Sequence, residues 1–307
     1  MTRQKTRTPG GFRGVLLVFF GVAVGVSATL FVRGCARREE RPAASGTRPT
    51  PSKGAPRAKP PGASGAAPAL PSDFEPADRR RGGVVAVVVD DVGYDERALE
   101  TLARWDAPFA VAVIPSAPFA SRAVSLAREK GWDLLVHLPM EPESGPSEAE
   151  AIGARDDDDA IRGRVLADLA KTPGAIGVNN HQGSKATADA RVVRAVLGVV
   201  KEKGLFFLDS RTTNASVAGA EAAAMRVPFL ARDVFLDDVA AEAAAKGGVP
   251  EALDAAWERA LAVAAKRGQA IVIGHPRRET LAFLSEKVGL LGKNEGPRAV
   301  KVSELVP

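Results

Sequence analysis

An α/β fold with a parallel sheet of about seven strands is the architecture that this sequence predicts for residues 83–307. Three observations predict it. Short apolar runs alternate along this segment with longer stretches of helical pattern. The first run, residues 84–89, is apolar throughout, which is typical of a strand covered on both faces. Several helical stretches end at a Lys-Gly or Arg-Gly pair, as helices often do at their carboxyl ends.

The predicted elements follow one another in a regular order. β-like runs are predicted at residues 84–89, 109–114, 134–137, 175–178, 205–208, 228–230 and 270–273. Helices are predicted near residues 96–105, 120–130, 157–170, 189–203, 218–224, 250–267 and 279–287. This order fits an open doubly wound sheet and a closed or nearly closed barrel equally well.

The first 82 residues differ in composition from the rest. Residues 1–13 are basic, and residues 14–32 carry no charge; as a helix they would span roughly 28 Å, about one hydrocarbon core. This run predicts a transmembrane signal anchor, with a cleaved signal peptide or a lipoprotein modified at Cys35 as alternatives. Residues 33–82 are rich in proline and alanine and predict a disordered linker that tethers the domain at residues 83–307.

Charge divides the chain at the same place. The whole chain has a formal net charge of +5, but residues 1–83 hold 15 Lys/Arg and 5 Asp/Glu, whereas residues 84–307 hold 27 and 32. The predicted domain is therefore mildly acidic, which argues against nucleic acid as a partner. One cysteine excludes an internal disulfide framework and a four-cysteine zinc site, so any metal must be held by histidines and carboxylates. The sequence does not identify a protein partner.

Polar residues follow six of the seven predicted strands at the point where each strand ends. Because parallel strands finish at the same edge of a sheet, we expect these residues to converge. All three histidines of the chain are among them, which favours a shared functional site over isolated core histidines. The residues are Asp90, Asp91, His137, Asn179, Asn180, His181, Asp209, Ser210, Arg211, Arg232, Asp233 and His275.

This combination of residue types predicts metal-assisted hydrolysis. The adjacent carboxylates of Asp90 and Asp91 resist joint ionisation unless a cation lies beside them. One aspartate and two histidines supply three ligands for a divalent metal, zinc before others, and leave a position for water. The other aspartate would then act as general base and the remaining histidine as general acid. A serine hydrolase and a nucleotide cofactor are disfavoured, since the sequence has neither a Gly-x-Ser-x-Gly elbow nor a phosphate-binding glycine motif.

Six ordered segments resemble the divergent polysaccharide deacetylases, distant relatives of the metal-dependent polysaccharide deacetylases of bacterial envelopes. The resemblance covers about residues 84–280. Its motifs are DDVGY at 90–94, HLPMEP at 137–142, NNHQGS at 179–184, FLDSRTT at 207–213, RDVFLD at 232–237 and GHP at 274–276. The better-known deacetylases take both metal histidines from one short His-x-x-x-His segment, whereas here they would come from two strands.

The resemblance implies a distorted (β/α) barrel of about seven parallel strands that carries a polysaccharide deacetylase-like catalytic domain. It implies a metal centre whose ligands are Asp91, His137 and His181. It also implies Asp90 as the general base, His275 as the general acid, and Asp209 and Arg211 as the pair that orients the base. Substrate contacts are expected from Glu141, Asn179, Asn180, Ser184 and Asp233.

The sequence therefore predicts a membrane-anchored, metal-dependent hydrolase that deacetylates an acetylated cell-envelope polysaccharide. The anchor, the tether and the resemblance together predict a single-pass protein of the bacterial inner membrane with its domain in the periplasm. The alternative is a non-catalytic envelope scaffold that binds a glycan or a protein on the same fold. The presence of both Asp90 and His275 favours the enzyme, because a binding protein needs neither a base nor an acid.

Overall fold

The computed structural model describes residues 82–148, 150–237, 248–292 and 296–307. The strands in this part of the chain are β1 (Val84–Val92), β2 (Ala110–Val113), β3 (Asp133–Met140), β4 (Gly177–Gln182), β5 (Phe206–Asp209), β6 (Phe229–Ala231), β7 (Val234–Phe235), β8 (Gln269–Gly274) and β9 (Arg298–Val300). The α-helices are α1 (Glu96–Leu102), α2 (Ala120–Lys130), α3 (Asp158–Lys171), α4 (Ala190–Glu202), α5 (Ala218–Met225), α6 (Val249–Arg267) and α7 (Arg278–Leu290).

The predicted strands and helices are all present, with ends that differ by a few residues. The sequence does not predict β7 and β9, because strands of two or three residues are too short to show a periodic pattern. The predicted basic segment 1–13, the anchor at 14–32 and the linker up to residue 81 lie outside the described residues. Within the described residues, no helix is both long enough and apolar enough to cross a membrane.

The strands form one parallel sheet in the order β6-β5-β4-β3-β2-β1-β8-β7. β9 pairs with the first three residues of β1, whereas β2 pairs with β1 from Val88 onward. The terminal strands β6 and β7 form no ladder with each other in the described part of the chain, which leaves a seam between them. The sheet is thus a parallel half-barrel, more open than the predicted distorted barrel.

Buried apolar residues divide into an inner cluster and two outer clusters. Along β1, Val84, Ala86 and Val88 belong to the inner cluster, whereas the alternate Val85 and Val87 pack under the helices. This alternation follows from the two-residue period of a strand, and it explains why β1 is apolar on both faces. The inner cluster also takes in Leu135 on β3, Phe206 and Leu208 on β5, Leu230 on β6, and Ile271 and Ile273 on β8.

The end of the half-barrel at which the strands begin is closed by β9 and the 3-10 turn Val302–Leu305. Val302 and Leu305 are fully buried in the inner cluster. The backbone N–H of Ser303 donates to Asp133 Oδ2 across 2.8 Å and so fixes this closing segment to the first residue of β3. The opposite end, where the strands finish, carries the polar residues.

Candidate active site

One register of the strands supplies the side chains of the site. On β1 the inner residues Val84, Ala86 and Val88 are followed two residues later by Asp90. The same step of two leads from Leu135 to His137 on β3 and from Ile273 to His275 after β8. The inward-facing polar residues that the fold brings together are Asp90, His137, Asn179, His181, Ser210 and His275.

A candidate metal centre lies among Asp91, His137 and His181, the three ligands that the family resemblance implies. Asp91 Oδ1 is 3.1 Å from His137 Nε2 and 2.8 Å from His181 Nδ1, and the two ring nitrogens are 3.3 Å apart. Although Asp91 Oδ1 is buried, it makes no hydrogen bond within the described residues. One carboxylate oxygen and two imidazole nitrogens that face one another fit a divalent cation such as zinc.

The backbone turns into the left-handed region at Asp91, where φ is +53°. In a regular strand, the residue after the inward-facing Asp90 would face outward, toward the helices. The turn interrupts the register of β1 between Val89 and Val92 and lets Asp91 join the site. Gln182 and Arg211 also adopt positive φ, at +54° and +51°, directly after His181 and Ser210. Such strained conformations cluster at functional sites.

Asp90 is 1% exposed, and its hydrogen bonds come from a residue of β4 and from the residue that follows β5. Asn179 Nδ2 donates to Asp90 Oδ1 across 2.8 Å, and Ser210 Oγ lies 3.5 Å from Asp90 Oδ2. Asp90 Oδ2 is also 3.7 Å from His137 Nε2. Burial raises the pKa of Asp90, while the neighbouring imidazoles of His137 and His275 and the hydrogen bond from Asn179 act in the opposite direction.

The predicted orienting pair, Asp209 and Arg211, lies elsewhere. Asp209 belongs to the outward register of β5, where its carboxylate accepts hydrogen bonds from Arg211 N and Ser216 Oγ, both across 2.7 Å. The residue Arg211 is exposed. Among the described residues, the hydrogen bonds to Asp90 come from Asn179 and Ser210 instead. The physical reason is that side chains alternate in direction at the end of β5. Ser210 faces the interior, so the adjacent residues Asp209 and Arg211 face away from Asp90.

His275 is held by Asp237, which the sequence analysis missed. His275 Nδ1 is 2.8 Å from Asp237 Oδ1, and Asp237 Oδ2 accepts hydrogen bonds from the backbone N–H of His275 and from Thr280 Oγ1. Burial alone would lower the pKa of His275, but the hydrogen bond and the charge of the fully buried Asp237 outweigh it and raise the pKa to about 9. His275 Nε2 lies 3.9 Å from Asp91 Oδ2, beside the candidate metal centre. Asp237 is the last residue of the RDVFLD motif, and this motif is the sequence signal that points to it.

Three predicted substrate contacts take part in internal hydrogen-bond networks. Asn179 is fully buried between Asp90 and His137. Asn180 is 1% exposed and faces away from the barrel interior, where its Oδ1 accepts a hydrogen bond from Ser210 N. The Asp233 carboxylate pairs with the Arg267 guanidinium across 2.5 Å and accepts a hydrogen bond from the backbone of Ile271. All three side chains thus bond to neighbouring strands or helices, and those of Asn179 and Asn180 are buried.

The other two predicted substrate contacts join loops at the rim of the site. Glu141 pairs with Lys185 Nζ across 2.6 Å and accepts a hydrogen bond from Ala154 N across 2.8 Å. Ser184 Oγ accepts a hydrogen bond from Glu143 N across 2.8 Å. The loop after β3 is thereby tied to the loop after β4. Contact of Glu141 and Ser184 with a substrate remains a prediction.

Comparison with known proteins agrees with this architecture. A solved structure, an uncharacterized protein ATU2773 from Agrobacterium tumefaciens C58, superposes with a TM-score of 0.66 at 25% sequence identity. The superposition covers 78% of this chain and 98% of that one. The fold and the site together define an α/β half-barrel protein with a candidate metal centre at the carboxyl ends of its strands.

The family follows from the sequence comparisons. The family model described as divergent polysaccharide deacetylase matches residues 87–306, and the chain belongs to this family. An uncharacterized protein of Haemophilus influenzae is 37% identical over 201 residues, which are 65% of this chain and 69% of that protein. The uncharacterized protein YibQ of Escherichia coli is 32% identical over 207 residues, which are 67% of this chain and 62% of that protein.

Proposed function

We propose that this protein is a metal-dependent hydrolase that removes acetyl groups from a carbohydrate of the cell envelope. The observation that carries the proposal is the arrangement of Asp91, His137 and His181 around one point, with Asp90 3.7 Å from His137 and His275 3.9 Å from Asp91. A ligand set flanked by a buried carboxylate and a carboxylate-paired histidine has the parts that hydrolysis of an acetyl amide or ester requires.

Asp91 Oδ1, His137 Nε2 and His181 Nδ1 would hold the metal, with zinc as the proposed ion. When bound, the ion would polarise the acetyl carbonyl and make a neighbouring water molecule more acidic. Three protein ligands leave room for substrate and water, as in catalytic rather than structural zinc sites.

Asp90 would accept the proton of the attacking water. Its carboxylate is buried beside the ligands, and the donors Asn179 and Ser210 fix its position. His275 would donate a proton to the departing sugar amine or alcohol from Nε2, the ring nitrogen that faces Asp91. Asp237 holds the opposite ring nitrogen and favours the protonated form that an acid needs.

The choice of substrate and location rests on the family and on the composition of the chain. Membership of the divergent polysaccharide deacetylase family supports an acetylated polysaccharide as substrate. The acidic charge of residues 84–307 argues against nucleic acid. The apolar run at 14–32 and the proline-rich stretch at 33–82 support an inner-membrane protein whose domain acts in the periplasm.

Metal content and acetate release test the proposal. The full chain, purified without chelator, is expected to contain close to one divalent ion per molecule by plasma mass spectrometry and to release acetate from chito-oligosaccharides or small acetyl esters. His137→Ala and His181→Ala should lose the ion, whereas Asp90→Asn should keep the ion and lose acetate release. A chain that binds neither zinc nor cobalt when they are supplied would contradict the proposal. Cellular function that survives Asp90→Asn would favour the scaffold instead.

A further inference from the structure

Asn179 lies between the proposed base and a proposed metal ligand. Its Nδ2 is 2.8 Å from Asp90 Oδ1, and its Oδ1 is 2.9 Å from His137 Nδ1. The residue is 0% exposed, so bulk solvent does not reach these two contacts. Both ends of the Asn179 amide are therefore committed to its neighbours.

The orientation of this amide follows from the carboxylate it faces. An ionised carboxylate only accepts hydrogen bonds, and of the two ends of an amide only the nitrogen donates. The reversed amide would place its oxygen against Asp90 Oδ1 and leave two buried acceptors in contact, which is costly. Asn179 Oδ1 must then face His137 Nδ1, and that ring nitrogen must carry a hydrogen.

The hydrogen on Nδ1 decides where His137 carries its lone pair. A neutral imidazole protonated on Nδ1 has its free lone pair on Nε2. Nε2 is the atom that lies 3.1 Å from Asp91 Oδ1 and 3.3 Å from His181 Nδ1. The lone pair is thus directed at the candidate metal centre and not at the protein interior.

We propose that Asn179 is a positioning residue whose single amide, oriented by the Asp90 carboxylate, holds His137 in the tautomer that binds metal through Nε2. The inference rests on the proposed function and deepens it, because the amide that prepares the ligand also holds the base. Partners behind a metal ligand fix its tautomer in many metal sites. Here the partner is Asn179, which also holds the general base. This positioning role replaces the substrate contact that the sequence predicts for Asn179.

Asn180 offers a matched control for substitutions of Asn179. It is the adjacent residue on β4, it carries the same amide, and it is 1% exposed. Its amide faces the opposite side of the strand, where Nδ2 donates to Gln182 O and Oδ1 accepts from Ser210 N. Asn180→Ala removes an equally buried amide without removing a contact of His137 or Asp90.

Two substitutions separate the two halves of the inference. Asn179→Ala removes both contacts, and we expect zinc affinity of the full chain to fall about 10- to 100-fold in chelator competition. Asn179→Asp keeps an acceptor for the Nδ1 hydrogen but presents a carboxylate to Asp90. We expect that variant to keep its zinc affinity within about threefold of the parent while acetate release is lost. Asn180→Ala should leave zinc affinity unchanged.

Nitrogen NMR reads the tautomer directly, independent of turnover. Long-range proton–nitrogen spectra of the zinc-loaded parent should show hydrogen on His137 Nδ1 and zinc on Nε2. Zinc on Nδ1, or equal zinc affinity in Asn179→Ala, Asn180→Ala and the parent, would overturn the inference while leaving the proposed function in place. A parent chain that binds no zinc would overturn the proposed function, and the inference with it.

Discussion

The two ends of the half-barrel carry opposite kinds of residue on the same inward register. Where the strands begin, the interior is filled by apolar side chains, and Val302 and Leu305 close it. Where the strands finish, the next inward positions are the polar or charged residues Asp90, His137 and His275, of which the first two are buried and His275 is partly exposed. The same face of a strand thus carries apolar residues that stabilise the fold near the start of the strand and polar residues of the candidate site near its end. Substitutions at the two ends should therefore separate folding from activity.

The largest expected effect lies at the open end. Asp90→Asn removes the proposed base but preserves the shape of the side chain, so kcat for acetate release should fall about 10²- to 10⁴-fold. Metal content and melting temperature should stay near those of the parent, since Asp90 is not a proposed ligand. Acetate assays, plasma mass spectrometry and thermal melts measure the three quantities. A parallel loss of metal or of folding in this variant would show that the two ends are not separable.

The closed end should respond in the opposite way. Leu305→Ala empties a fully buried position of the inner cluster and should lower the free energy of unfolding by about 2–5 kcal/mol. Urea titration measures this loss, and below the unfolding transition the variant should bind metal with the stoichiometry of the parent. Ser303→Ala is the neighbouring exposed control; it keeps the backbone N–H that donates to Asp133 and should change stability little. Loss of metal from folded Leu305→Ala would show that the two ends of the half-barrel are not independent.

A smaller effect, confined to pH dependence, is expected at Asp237. An acid must be protonated, so activity should be present below the pKa of His275, about 9, and be lost as the pH rises through it. Asp237→Asn removes the charge that raises this pKa toward 9 from an ordinary value near 6.5. The alkaline limb of the kcat profile should therefore move to lower pH.

Thr280→Val provides the control for this shift. It removes the hydrogen bond from Thr280 Oγ1 to Asp237 Oδ2 but keeps the carboxylate beside His275. Its alkaline limb should stay close to that of the parent. If the alkaline limb does not move in Asp237→Asn, His275 is not the general acid, whatever the effect of the substitution on the rate.

The smallest effect is expected at Asp209. The sequence predicts that this residue orients the base, but its carboxylate faces the outer side of β5 and bonds Ser216 and the backbone of Arg211. Asp209→Asn should change kcat by less than about threefold, the scale of a substitution that leaves the reacting groups in place. A fall of 100-fold would restore the predicted orienting role and would require another conformation at the end of β5.

Much of the architecture could be predicted because the relevant signals are local. The alternation of apolar runs and helical stretches, with glycines such as Gly131 and Gly268 in left-handed helix caps, gives the order of the elements. The placement of Asp91, His137 and His181 at the same end of the sheet follows from the rule that parallel strands finish at one edge. Neither argument requires knowledge of which face of a strand points inward.

The partners of the site residues could not be predicted because they depend on that face. A shift of one residue along β5 separates Ser210, which approaches Asp90, from Asp209, which does not. Asp91 breaks the alternation outright through its left-handed backbone. Asp237 reaches His275 only because β7 pairs with β8, and a strand of two residues leaves no pattern in the sequence.

The left-handed backbone at Asp91 also bears on attempts to make this protein more robust. An aspartate held at a φ of +53° costs of the order of 1 kcal/mol or more relative to glycine, which adopts this conformation without strain. Directed evolution that selects only for survival at high temperature would favour glycine at position 91. Each such variant would gain thermal stability but lose a carboxylate of the candidate metal centre. Melting temperature is therefore an unsafe guide for engineering this site, and libraries should be screened for retained metal at the same time.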